Sequence, residues 1–432
     1  MIRRLPATTT LIALNVLVFV AMVIGHVSPR NPTIDQLIRW GADSGEQVIL
    51  HHQWWRIITS AFVHIGFIHL LMNMWALWVI GSLAEVVVGP YLYIGFYFVC
   101  AIAGSLASLY WHPAGVGAGA SGAIIGVLGV MVSVLKFARL PLPKEVLRST
   151  IRSLIQGAAL TLAIGIFGPI DNAAHMGGLI CGLLIGLLLS LSRRVDQPMR
   201  RPFRQMSLIA PLVLLVPLAF AVQKHGEVEV RLQQARTEIQ TGRYQDAEES
   251  AHLALQHSPD RSDALVILSE ALYLQGNTAE ASKYLRQLIA QDPRNEYAVN
   301  RLATIELNDH DASSAVNFLG QTLPLQPRNA EGQVYLGRAL QALNEDHKAI
   351  DHYRQAVKIN PDLYEAQLAL ANIYEKNNEP QDALLFYMKA AHLRPSELDP
   401  LRGLARVYLV LGHKKQADQA IEQIRALEKS GS

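Results

Sequence analysis

Four polar side chains stand inside otherwise apolar sequence: His69 and Asn73 in HLLMN, Ser121 in VGAGASGAIIG, and His175 in DNAAHMGGLICG. A hydroxyl and an imidazole are the parts of a nucleophile–base pair, in which a ring nitrogen takes the hydroxyl proton as the oxygen attacks a carbonyl. His69 and Asn73 are four residues apart, so on a helix they share one face. Their N–H groups suit the oxyanion that such an attack creates. The same residues have a plainer use. Gly119, Ser121, Gly122 and Gly126, with Gly178, Gly182 and Gly186, are small enough to let two membrane helices touch, and His and Asn serve as interhelical hydrogen-bonding groups. The packing and catalytic readings are compatible, and these residues alone leave both open. Asp171 lies four residues before His175 and reads as a solvated carboxylate at a helix start, favoured by the helix dipole, rather than as a third catalytic member.

Apolar runs of about 20 residues, the length that crosses a bilayer, must position these groups. They fall near 8–25, 67–88, 91–111, 121–138, 153–170, 172–191 and 206–222, the last containing Pro211 and Pro217. The N-terminal MIRRLP and the run after it read as an uncleaved first span, since further apolar runs follow instead of a cleavage site. Basic residues mark the cytoplasmic loops: Arg3 and Arg4 before the first span; Lys136, Arg139, Lys144, Arg148 and Arg152 between the fourth and fifth; Arg193, Arg194, Arg200, Arg201 and Arg204 between the sixth and seventh. The N-terminus is then cytoplasmic, and His69, Asn73, Ser121 and His175 all sit near the outward ends of even-numbered spans. A shared depth is what one site requires. A helix that begins at Ser121 also aims backbone N–H groups at the place where an oxyanion would form.

Composition divides the chain. Residues 1–225 carry a net charge of +9 and the remainder −7, a basic apolar half followed by an acidic charged one. The two cysteines, Cys100 and Cys181, lie in apolar runs and read as packing residues. No phosphate loop, metal motif or nucleic-acid patch stands out, so neither cofactor nor metal is expected.

Beyond residue 225 a period of 34 takes over. Pro259, Pro293, Pro327, Pro361 and Pro395 keep it, as do Ala247, Ala281, Ala315, Ala349, Ala383 and Ala417, and Leu268, Leu302, Leu336, Leu370 and Leu404. The turn column reads Gly242, Gly276, His310, Asn344, Asn378 and Gly412, mostly residues that tolerate a left-handed backbone. Alanine where two helices meet and proline at the close resemble the tetratricopeptide repeat (TPR), with six units between about 227 and 430. Such stacks offer a concave surface for a peptide or protein ligand, or act as a spacer or dimerisation surface.

GASG at 119–122 with Gly126, His175 followed by glycines, and HIGFIHLLMN at 64–73 together resemble the rhomboid family of intramembrane serine proteases. Trp55-Arg56 resembles that family's Trp-Arg pair in the first extracytoplasmic loop. The likeness implies a Ser121–His175 dyad with no acidic third member and an oxyanion site from His69, Asn73 and the Ser121 backbone. It also implies supporting roles for Gly119, Gly122 and His64, and transmembrane-helix substrates cut near the outer surface. One departure is Ile125, where many rhomboids carry Tyr or Phe. The expectation is therefore an all-α chain. Its parts are a six-span rhomboid-like domain over 1–195, a basic linker and seventh span over 196–225, and an α-solenoid of TPR helix pairs over 226–432. The expected partners are transmembrane protein substrates, a TPR ligand and membrane lipid, with no nucleic acid. The expected location is a bacterial inner membrane, with the repeats extracytoplasmic if the seventh span crosses. The competing reading is a catalytically weak or inactive membrane-anchored TPR scaffold.

Overall fold

The computed structural model describes residues 5–138, 140–167, 171–192 and 197–430. Arg3, Arg4, Arg139, Arg193 and Arg194, which contribute to the orientation argument, lie outside the described residues. The chain divides into two compact units: one of residues 1–234 with 256–258, the other of 235–255 with 259–432. Both are built almost wholly from α-helices.

In the first unit α1 (Pro6–Ile24) leads through a short α2 (Ile34–Arg39), a two-residue strand β1 (Asp43–Ser44) and α3 (Arg56–Thr59) to α4 (Phe67–Val88). α5 (Pro90–Trp111) follows, then β2 (Val116–Gly117), α6 (Ser121–Phe137), α7 (Lys144–Phe167), α8 (Asn172–Ser192) and α9 (Gln197–Gln240). β1 and β2 pair antiparallel, Asp43 opposite Gly117. Helices α1, α4, α5, α8 and the 200–240 stretch of α9 are long and apolar enough to cross a membrane, and α6 is a shorter apolar helix. Leu17, Ile24, Trp75 and Trp78 are exposed on their flanks. In water such flanks would form an aggregating patch; in lipid they are the solvent face. α7 differs from the expected fifth span. It starts at Lys144, inside what reads as a loop, and carries Glu145, Arg148 and Arg152 in its opening turns. Long basic side chains at a helix end can extend to the interface, so charge did not mark the loop boundary there.

Between α6 and α8, backbone lies against backbone. A Cβ at Gly178 would stand 2.1 Å from the Gly122 carbonyl oxygen, one at Gly182 1.8 Å from that of Gly126, and one at Gly186 2.4 Å from that of Val130. α6 and α8 therefore touch along their glycine faces, as small-residue packing requires. A buried carboxylate pins α1 to α4: Glu85 accepts hydrogen bonds from the Ala7 amide (3.0 Å), the Thr8 amide (2.8 Å) and the Thr8 hydroxyl (2.7 Å). This is the charge that suits a helix N-terminus. Within this unit α9 runs alongside α5 in the same direction. Leu208 reaches Gly95 near the start of α5. Val222 packs with Leu106 and Leu109, and His225 lies 5.1 Å from the Tyr110 ring near its end. The Gln223 amide donates to the Ile49 carbonyl at 3.1 Å.

In the second unit α10 (Tyr244–His257) is followed by five helix pairs. They are α11 (Ser262–Leu274) with α12 (Thr278–Gln291), α13 (Glu296–Asn308) with α14 (Ala312–Thr322), α15 (Ala330–Ala342) with α16 (Asp346–Ile359), α17 (Tyr364–Lys376) with α18 (Pro380–Leu393), and α19 (Leu398–Val410) with α20 (Lys414–Ser430). Ala247, Ala281, Ala315, Ala349, Ala383 and Ala417 are fully buried. All six turn-column residues have positive φ, including His310 at 59° and Gly276 at 84°. The helix α9 continues to Gln240, so the expected boundary at 226 falls within it.

Candidate active site

Ser121 opens α6, and His175 sits one turn into α8. Their two helices approach closely enough that His175 Nε2 and Ser121 Oγ are 2.8 Å apart. His175 is 2% exposed, while Ser121 is only half-buried. The bonded Nε2 is therefore the nitrogen placed to receive the hydroxyl proton. The first α6 amides have no partner within the helix and converge where Ser121 begins it.

The turn before Ser121 is held open for His69. Gly119 has φ +130°, and a Cβ there would lie 2.6 Å from His69 Cε1. Only glycine meets both demands. The Gly119 amide donates to the Ser60 carbonyl at 2.9 Å. Asn73 is buried and its amide donates to the His69 carbonyl, one turn back, at 2.9 Å. His64 is fully buried, with its Nδ1 3.2 Å from the Phe62 carbonyl and its ring 5.3 Å from that of His69. Burial first, and His69 beside it second, push His64 down to about 4. It is neutral at physiological pH, which suits a structural hydrogen-bonding role. Ile125 is buried in the bundle core.

The Trp55-Arg56 pair braces the first loop. Arg56 is 7% exposed, and its guanidinium donates to the carbonyls of Ile38 (2.5 Å) and Ala42 (2.9 Å). The same group lies 4.6 Å from the Trp55 ring centroid, within cation–π range.

Asp171 is not the solvated carboxylate the sequence suggests. It is half-buried and caps α8, with Oδ1 accepting from the Ala174 amide at 2.9 Å and Oδ2 from the Ser108 hydroxyl. Both oxygens are occupied away from the His175 ring. A second carboxylate, Asp43, which the sequence pattern did not single out, lies nearby. It accepts from the Gly117 amide at 2.9 Å and from the Ser105 hydroxyl. Asp43, Ser60, Ser105, Ser108, Asp171 and Ser121 line one cavity of about 50 Å³. The sole sequence hint was a charge in GADSG between two apolar stretches. Among the described residues no group of three or more His, Cys, Asp and Glu is arranged to hold a metal ion.

Comparison with known proteins gives three family matches. A Rhomboid domain model covers residues 51–192, a Tetratricopeptide repeat model 230–305, and a TPR repeat model 337–378. The chain is similar to Rhomboid protease GluP of Bacillus subtilis (strain 168), at 30% identity over 305 residues, covering 69% of this chain and 57% of that one. It is similar to RHOMBOID-like protein 6, mitochondrial, of Arabidopsis thaliana, at 34% identity, covering 36% of this chain and 49% of that one. To Rhomboid protease AarA of Providencia stuartii the identity is 33%, covering 40% of this chain and 69% of that one. The chain spans about half the length of the Bacillus and Arabidopsis proteins.

Proposed function

We propose, from the premise that this chain belongs to the rhomboid family, that it is an intramembrane serine endopeptidase acting through Ser121 and His175. The observation that carries this reading is the 2.8 Å contact between His175 Nε2 and Ser121 Oγ at the opening of α6. Ser121 attacks the scissile carbonyl carbon while His175 Nε2 takes its proton. The tetrahedral oxyanion is held by the Ser121 amide with His69 and Asn73. His175 then protonates the departing amine, leaving an acyl-enzyme that water hydrolyses by the reverse sequence. Asp171 stays outside this relay, because both its oxygens are bonded elsewhere. Gly119 and Gly122 act by permitting close approach: Gly119 under the His69 ring, Gly122 beside the Ala174 backbone.

The substrates are transmembrane helices, cut near the extracytoplasmic surface of a bacterial inner membrane. α9 runs parallel to α5 and leaves the bundle at the end where Ser121 lies, which supports a seventh crossing, a cytoplasmic N-terminus and an extracytoplasmic repeat domain. The repeats bind substrates or partner proteins. The surface around α15 and α17 supports this with a cavity of about 790 Å³ lined by Tyr335, Arg338, Tyr364 and Leu368 among others.

The test is cleavage of a tagged model transmembrane substrate in lipid vesicles by wild type, Ser121→Ala and His175→Ala. Cleavage by wild type alone, with both variants folded, is the expected result. Equal cleavage by all three would remove the dyad. No cleavage of any substrate, with no fluorophosphonate labelling of Ser121, would favour the scaffold.

A further inference from the structure

The cavity beside Ser121 contains an arrangement the dyad chemistry does not use. Two hydroxyls of α5, Ser105 and Ser108, each donate to one carboxylate, Asp43 and Asp171 respectively. Each carboxylate in turn holds a backbone amide just ahead of a dyad member. Asp43 holds the Gly117 amide, four residues before Ser121; Asp171 holds that of Ala174, one residue before His175. The fit at Gly117 is tight, since a Cβ there would stand 2.2 Å from Asp43 Oδ1. Only glycine lets the carboxylate reach that strand. α5 is thereby a common post to which both catalytic segments are tied.

We propose that Asp43 and Asp171 are a matched pair of positioning residues that tie the segments carrying Ser121 and His175 to α5, and so set the separation of the two side chains. This rests on the serine–histidine reading above. Neither carboxylate touches the reacting atoms; each acts through the backbone it holds. Error at this level matters, because a misplacement of about 1 Å costs on the order of 100-fold in rate.

The electrostatics give the pair a signature. The charged groups facing Asp43 are Asp171, from the start of α8, and Arg56, from α3. α5, the turn at Ser60 and β2 present it with Ser105, Ser60 and the Gly117 amide. Burial pushes the Asp43 carboxyl up to about 7, and the nearby Asp171 adds to the rise, against hydrogen bonds that oppose it. The folded chain then keeps a proton that the unfolded chain releases at the ordinary carboxylate pKa. Stability from this group is greatest in acid, falls as pH rises toward 7, and levels off above it.

The experiment compares wild type, Asp43→Ala, Asp171→Ala, Asp43→Asn and Asp171→Asn, with Ser121→Ala as the inactive reference. In the alanine variants kcat should fall by about 10–100-fold while KM stays within about twofold, and fluorophosphonate labelling of Ser121 should slow in parallel. The asparagines keep an acceptor for the Gly117 or Ala174 amide, so they should retain most turnover. Folded alanine variants with wild-type kcat would overturn the proposal. If the alanine variants do not fold, Ser105→Ala and Ser108→Ala decide, since each removes the hydroxyl that ties one carboxylate to α5; wild-type kcat in both would overturn the proposal. Thermal unfolding separates this inference from the protease reading. The Tm of wild type relative to Asp43→Asn should fall between pH 5 and pH 8 whether or not the chain cuts. A flat difference would sink the proposal even in an active protease, whereas a falling one without proteolysis would support the tie and remove the protease.

Discussion

Where α6 meets α8, glycine lies against backbone: a Cβ at Gly182 would be 1.8 Å from the Gly126 carbonyl oxygen. At two repeat glycines the obstacle is a ring instead: a Cβ at Gly337 would be 2.5 Å from Tyr353 Cε1, and one at Gly403 2.3 Å from Tyr387 Cε1. A side-chain ring can give way by turning about its own bonds, but a helical carbonyl can move only with its helix. The α6–α8 seam therefore has little room to adjust, and a change there reaches Ser121 and His175 directly. In a stacked repeat each unit contacts its neighbours, and damage stays local.

The sharpest way to break this comparison is to add the same kind of bulk to each unit. Gly182→Ala should lower cleavage of a transmembrane substrate by at least about 100-fold, the scale of a 1 Å displacement in a reacting pair. Gly337→Ala should cost only the ordinary overpacking penalty of about 1–3 kcal/mol, read by thermal unfolding, and leave cleavage of a short substrate intact. A tolerant Gly182 would dissolve the distinction.

Asn73→Ala comes next. Under the proposed mechanism it removes one donor to the oxyanion, which costs about 10²–10³ in turnover, with little change in Tm, because the hydrogen bond it loses is local to α4. Full activity would take Asn73 out of the assignment.

A third difference is the sign of pH dependence. In the repeats Arg406 holds Glu375 through two hydrogen bonds (2.7 and 2.8 Å), and this contact, with the Tyr387 hydroxyl adding to it, keeps the Glu375 carboxyl below its ordinary value. Its contribution is present above the ordinary carboxylate pKa and is lost as pH falls, the reverse of Asp43. Arg406→Gln should lower repeat stability at pH 7 by up to about 1 kcal/mol, since Arg406 is exposed and Glu375 only half-buried. The gap should narrow toward pH 4 in denaturant titrations. A gap that widens in acid would contradict the direction given for Glu375.

The smallest effect belongs to the turn column. His310 has φ +59° where Gly242 and Gly412 occupy the same place in other repeats. His310→Gly should stabilise the repeats by no more than about 1 kcal/mol through relieved left-handed strain. A destabilisation seen by thermal unfolding would assign His310 a contact beyond its turn.

The repeats were legible because helix, turn and interface recur at one fixed spacing, and even the odd histidine of the turn column adopts the expected conformation. The pairing of Ser121 with His175 was legible for another reason: polar groups in apolar runs are conspicuous. Asp43, Ser60, Ser105 and Ser108 gave no such signal. They belong to no period, and serine is unremarkable within a membrane helix. Asp171 was visible but misread, since spacing along one helix says nothing about the hydroxyl that α5 brings to it. α7 began earlier than its charges suggested, because basic side chains at a helix end remain compatible with helix.

What the sequence by itself determined is what depends on near neighbours along the chain: which stretches are helical, which face membrane, where the repeats turn, and which side chains could do acid–base chemistry. Only the tertiary structure decided that α6 and α8 touch along their glycines, that His175 presents Nε2 to Ser121, and that two carboxylates from distant segments meet on α5. Those outcomes depend on backbone approaches of a few ångströms between residues more than fifty positions apart, and no local preference encodes such a distance.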